Sequence, residues 1–236
     1  MSTYVIGDVH GEYEQLVELV EKMHITEEDS LYILGDVIDR GPEPVKALEY
    51  LMTIPNCTCL AGNHEMMMLS NIKMLLSEIT EDYLDDLSVE ELEPLLEWLH
   101  NGASNTISDF AALSVEEREE IIDFVKDFEV YDELVVNGQR YLLVHAGLDN
   151  FSKEKKLDEY YLENFVWTRL DYGQKYYDDV IMVTGHTPTQ VIPKNPNPGY
   201  IYKANNHNAL DCAACSESGR LAGICLETGE EFYARK

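Results

Sequence analysis

Tyr4-Val5-Ile6-Gly7-Asp8-Val9-His10-Gly11 is a short apolar run that stops in glycine and polar residues, and the chain repeats this pattern. Leu31-Tyr32-Ile33-Leu34 runs into Gly35-Asp36-Val37-Ile38-Asp39-Arg40-Gly41, and Thr58-Cys59-Leu60 into Gly62-Asn63-His64-Glu65. Farther on, Tyr141-Leu142-Leu143-Val144 runs into His145-Ala146-Gly147, and Val180-Ile181-Met182-Val183 into Gly185-His186-Thr187. Runs of this length bounded by turn signals read as buried strands. Leu16, Leu19, Val20 and Met23 then recur at helical spacing between the first two runs, and Val45, Leu48 and Leu51 between the second and third. Strand alternating with helix is the α/β pattern. In such sheets the polar groups at the carboxyl ends of strands gather along one edge. Five clusters distant in sequence can therefore converge.

The chain has 236 residues, with 17 basic against 45 acidic side chains and a formal net charge of −28. That balance argues against nucleic acid, whose binding rests on Lys and Arg neutralising phosphates. It argues equally against an anionic membrane surface. No apolar run reaches the length of a membrane span, and Met1-Ser2-Thr3-Tyr4 lacks the basic opening of a signal peptide. Five cysteines, an odd number, fit reduced thiols and a cytoplasmic location. Cys212 and Cys215 form a lone pair without the second pair a zinc knuckle needs.

The expected organisation is a single domain over 1–236 with a helical insertion at 78–133. That insertion holds 19 acidic residues and only two basic ones, Arg118 and Lys126. Leu84, Leu87, Leu92, Leu95, Leu96, Trp98 and Leu99 sit among the acids, which predicts two or three amphipathic helices with a solvated outer face. Ser114 and Glu117 are spaced as a capping box. A cap that shapes substrate access is compatible with this reading. Asn137-Gly138 predicts a tight hairpin turn between residues 133 and 144, and Thr228-Gly229 a second. The tail is mostly strand-like, which suggests a second, mixed sheet packed on the first.

Asp8 and His10 are two residues apart at a strand end, so both can reach one ion. Asp36, Asn63, His145 and His186 end other strands. Oxygen and nitrogen donors without thiolate suit Mn²⁺, Fe or Zn²⁺. Two carboxylates and three imidazoles exceed what one catalytic ion needs and suit a pair about 4 Å apart.

The five motifs resemble those of the phosphoprotein phosphatases within the calcineurin-like metallophosphoesterases, in particular the small bacterial and lambda-phage serine/threonine branch. The resemblance implies a four-layer αββα sandwich of mixed sheets. It also implies that Asp8, His10, Asp36, Asn63, His145 and His186 hold two divalent ions, Mn²⁺ first, with Asp36 shared. His64 would protonate the leaving oxygen and Asp39 would hold its imidazole. Arg40 would grip phosphate, and Arg169, in Trp167-Thr168-Arg169, is the candidate second clamp. His100-Asn101-Gly102 and His207 are weaker candidates for the cleft.

The implied activity is hydrolysis of phosphoserine or phosphothreonine in proteins by direct attack on phosphorus, with no regulatory subunit evident. The alternative is a bis(5'-nucleosyl)-tetraphosphatase or a broad phosphatase of the same superfamily. Glu65 and Asp39 lean against that alternative, whose members often have Asp at the first position and lack Asp at the second.

Overall fold

The computed structural model describes residues 1–77 and 88–235. Its first sheet begins with three parallel strands, β1 (Thr3–Ile6), β2 (Ser30–Ile33) and β3 (Cys57–Cys59). Helices α1 (Tyr13–Met23) and α2 (Pro44–Met52) supply the crossovers. The strands are buried on both faces, so they read as continuous apolar runs. Val5, Tyr32, Leu34 and Leu60 face the second sheet, while Ile6, Leu31, Ile33 and Cys59 face helices.

Hairpin β4 (Tyr131–Val136) and β5 (Gln139–Val144) turns at Asn137 and Gly138, with φ of 51° and 81° as that turn requires. β6 (Val180–Thr184) pairs parallel with β5, and β8 (His207–Ala209) parallel with β6. β7 (Tyr202–Ala204) closes this second sheet, whose order is β4-β5-β6-β8-β7. The tail does not all join it, which corrects the sequence expectation. β9 (Arg220–Cys225) and β10 (Glu231–Arg235) return to the first sheet, giving the order β10-β9-β1-β2-β3. β9 pairs antiparallel with β1, placing Ile224 and Ala222 in the core between the sheets.

Both sheets are therefore mixed, with an apolar layer between them and apolar layers outside, the four-layer α/β architecture. The outer layer on the second sheet is thin. Phe165 and Val166 of the short helix α8 (Leu162–Val166) cover it together with the loop residues Leu170 and Tyr172. Among the described residues no helix is long and apolar enough to cross a membrane.

Between β3 and the second sheet the described residues include α3 (Asn63–Ser70), α4 (Ile72–Leu75), α5 (Val89–His100), α6 (Ser104–Ala112) and α7 (Val115–Lys126). The last three belong to the acidic insertion. Residues 78–87 of that insertion, with Leu84 and Leu87, lie outside the described residues. The Ser114 hydroxyl accepts from the Glu117 amide and the Glu117 carboxylate from the Ser114 amide, so the capping box forms. The described helices of the insertion pack their apolar faces onto the body of the protein. Leu95, Trp98, Phe110, Ile121, Ile122 and Val125 share one core with Val9, Ile38, Leu48 and Met68. Leu92, Leu96 and Leu99 stay exposed.

Candidate metal centre

Backbone bonds draw the strand-end loops together. The amides of Val9 and His10 both donate to the Asp36 carbonyl, and the Gly185 amide to the His145 carbonyl. The His145 imidazole Nδ1 reaches the Leu34 carbonyl at 2.7 Å, tying the second sheet to the first. His10 Nδ1 lies 3.0 Å from the Ile38 carbonyl. Each ring is thereby fixed as the Nδ1–H tautomer, which leaves Nε2 with its lone pair aimed inward.

Asp36 sits at the middle. His10 Nε2 lies 3.6 Å from its Oδ2 and His145 Nε2 3.4 Å from its Oδ1. Two groups of metal-capable atoms share it: His10, Asp36 and His64, and Asp36, His145 and His186. Asn63 Oδ1 lies 3.1 Å from His145 Nε2 and 2.9 Å from His186 Nδ1. Asp8 stands at the edge, both oxygens accepting from the His186 amide at 3.1 and 2.9 Å.

The donor set fits divalent cations. Burial pushes the His10 and His145 imidazoles below their ordinary values. Burial, with His145 beside it, takes His186 down to about 3. All three are neutral at pH 7, as ligands must be. Asp8 is pushed up by burial and then by the charges of Asp211 and Asp36. Buried carboxylates that repel one another are stabilised by a cation among them. Here the Arg40 guanidinium takes part of that place, 2.6 Å from His10 Nε2 and 2.9 Å from His64 Nε2. It lies on the imidazoles at the mouth of the site.

His64 Nδ1 lies 2.6 Å from Asp39 Oδ2, and neither side chain is exposed. Burial opposes the imidazolium, but the Asp36 and Asp39 carboxylates outweigh it and hold His64 above its ordinary pKa. Arg169 is exposed, and its charge reaches His186 and Asp211. Trp167 stands 6.5 Å from the His186 ring. Of the weaker candidates, His100 is exposed and Asn101 Nδ2 donates to the Glu97 carbonyl. His207 is buried between Tyr172 and Tyr176, and the carbonyls of Asn101 and Gly102 meet Arg40.

His10, Asp36, Asp39, Arg40 and His186 all have left-handed backbone, with φ between 47° and 69°. Each such non-glycine residue stores roughly 1–3 kcal/mol, held only where surrounding bonds over-determine it. The glycines beside them are required by close approach. A Cβ on Gly62 would lie 2.2 Å from Asp36 Oδ1, and one on Gly185 2.0 Å from Asp8 Oδ1.

Four residues have contacts at the site that the sequence does not assign them. Glu65 accepts from the amides of Asp36, Val37 and Gly62, so it carries the turn that presents Asp36. Burial and the Asp36 charge raise its pKa to about 7. Its place at the third position of α3 was the available signal. Glu65→Ala would leave three buried N–H groups without acceptors, each costing about 1–3 kcal/mol. A fall of several kcal/mol in denaturant stability is expected. A wild-type midpoint would show that the turn stands without Glu65. Asp211, beyond β8, is a buried carboxylate raised to about 6, chiefly by burial. Trp98 and Thr106 reach Asp39 from the insertion, and nothing in the pattern marks them as other than helix residues.

The family described as calcineurin-like phosphoesterase matches residues 1–217. A symmetrical bis(5'-nucleosyl)-tetraphosphatase from Erwinia tasmaniensis is 35% identical over 102 residues. That match covers 42% of this chain and 37% of the relative, so the chain spans well under half of that relative's length. Among solved structures, one provisionally named a diadenosine tetraphosphatase superposes with a TM-score of 0.66 at 14% identity, covering 99% of this chain and 92% of the other. A cold-active protein-tyrosine phosphatase from a Shewanella species superposes at 0.55 with 17% identity, covering 99% and 80%. At these identities the superpositions speak for the fold alone.

Proposed function

The chain belongs to the calcineurin-like phosphoesterase family, and from that premise we propose that it is a two-metal phosphoester hydrolase whose substrate is a dinucleoside polyphosphate such as diadenosine tetraphosphate. One observation carries the reaction class: five strand ends bring imidazole, carboxylate and amide donors around a single carboxylate, Asp36. The substrate reading rests on the curated relative's activity. The motif resemblance puts phosphoserine or phosphothreonine first, and the curated relative moves the weight to the alternative.

Asp8, His10, Asp36, Asn63, His145 and His186 would hold the two ions, which on binding supply charge neutralisation and activation of water at neutral pH. The remaining steps belong to the side chains. Arg40, exposed at the mouth, offers a planar donor fork to phosphoryl oxygens when it turns from the imidazoles. Arg169 approaches from the loop after α8. His64 delivers a proton from Nε2 to the leaving oxygen while Asp39 holds Nδ1–H.

A second reading retains one specific observation. The His64–Asp39 pair is fully buried and closely bonded, and a proton donor matters most for a poor leaving group such as a serine alkoxide. The discriminating experiment compares kcat/KM of Mn²⁺-loaded protein on diadenosine tetraphosphate, a phosphoserine peptide and 4-nitrophenyl phosphate. The dinucleotide should be the best substrate and yield ADP. Turnover of the peptide with an inert dinucleotide would return the assignment to a protein phosphatase. No turnover of any ester would overturn the hydrolase reading.

A further inference from the structure

Asp39 is gripped by the helical insertion. Its Oδ2 accepts from the Trp98 indole N–H at 2.7 Å and its Oδ1 from the Thr106 hydroxyl at 2.5 Å. The Asp39 amide donates back to Thr106 Oγ1 at 3.1 Å. Trp98 lies on α5 and Thr106 on α6, and both are fully buried. The next two residues are held from the same side. The Arg40 amide donates to the Gly102 carbonyl, and Asn105 Nδ2 to the Gly41 carbonyl.

We propose that Trp98 and Thr106 are positioning residues for the proton donor His64, so that the insertion aligns the acid and does not merely border the cleft. This rests on the reading of His64 as the acid. A carboxylate bonded only to an imidazole can turn about its terminal torsion and carry the ring with it. Two further donors, one on each oxygen, fix its plane and leave one direction for the His64 N–H. The ring then keeps one tautomer and one aim for Nε2. The indole has a single N–H and no acceptor, and here that donor is spent on Asp39. Asp39 also sits at a φ of 69°, a conformation that depends on surrounding bonds. Packing alone does not account for the arrangement, since Val at 106 would fill the space of Thr106, and Phe most of the space of Trp98, with no hydrogen bond to Asp39.

Those two substitutions are the test. Trp98→Phe removes the indole donor, and Thr106→Val removes the hydroxyl at nearly constant volume. His64→Asn is the reference, and Thr106→Ser keeps the hydroxyl. For each variant, kcat and KM are read on an alkyl phosphate and on 4-nitrophenyl phosphate, with bound Mn²⁺ per chain and Tm. By analogy with the outer partners that orient metal-bound imidazoles, each loss should cost about 10–100-fold. That loss should appear in kcat on the alkyl ester, while the nitrophenyl ester, KM and metal content stay close to wild type. Thr106→Ser should restore turnover on the alkyl ester. Equal losses on both esters, a fall confined to KM, or no loss would overturn the proposal if His64→Asn does discriminate between them. If His64→Asn fails to discriminate, its role as acid falls and this inference with it. Should Trp98→Phe not fold, Thr106→Val decides alone.

Discussion

Asp36→Asn is expected to lower hydrolysis on the order of 10³-fold, because bound cations contribute several kcal/mol of charge stabilisation and each 1.36 kcal/mol is a factor of ten. Among the described residues, Asp36 is the one carboxylate common to both groups of metal-capable side chains. Asn has the same shape but no charge. Its oxygen can still accept from the His64 amide, as Asp36 Oδ1 does at 3.1 Å. The turn should also survive, since Glu65 binds the backbone amide of residue 36 and not its side chain. Metal analysis should therefore find less Mn²⁺ on a folded chain. Wild-type metal content together with wild-type turnover would remove Asp36 from the centre.

The second large effect is at His64. His64→Asn should reduce turnover of an alkyl phosphate by about 10²–10⁴-fold, the usual contribution of a positioned acid. Loss on diadenosine tetraphosphate should be smaller, because a phosphate oxygen leaves more readily than an alkoxide. Bound metal distinguishes two roles here. His64 Nε2 lies 3.9 Å from Asp36 Oδ2, within the first metal-capable group. An acid can be removed with both ions retained, whereas a ligand cannot. Unchanged metal with selective loss on the alkyl ester is the expected result. Lost metal with equal loss on all esters would make His64 a ligand.

The parts of this fold that were legible in the sequence are those with local signals. Each of the five glycine-terminated apolar runs is a strand or leads directly out of one, and α2 begins at Pro44 as its Gly41-Pro42 approach implies. The two hairpins follow from Asn137-Gly138 and Thr228-Gly229. What could not be read depends on distant partners. The β9 strand chooses β1 as its neighbour across more than two hundred residues, and no residue in either strand states that choice. Trp98 is 59 positions from Asp39 and Thr106 is 67. Both fit the helical period, so their polar contacts are hidden by a pattern that predicts only burial. The left-handed backbone at His10, Asp36, Asp39, Arg40 and His186 is equally invisible, since even Asp and His, which adopt it more often than most residues, do so in a small minority of cases. Arg40 shows a further limit. Its motif places it beside the centre, but only the structure shows it bonded to His10 and His64.

Stepwise return of Mn²⁺ to chelator-stripped protein, with bound metal per chain counted against hydrolysis of 4-nitrophenyl phosphate, tests the two-metal centre most directly. Hydrolysis should be absent in the stripped chain and should reach its maximum as two ions per chain are bound. Full activity in the stripped protein, or a maximum reached at one ion, would contradict it.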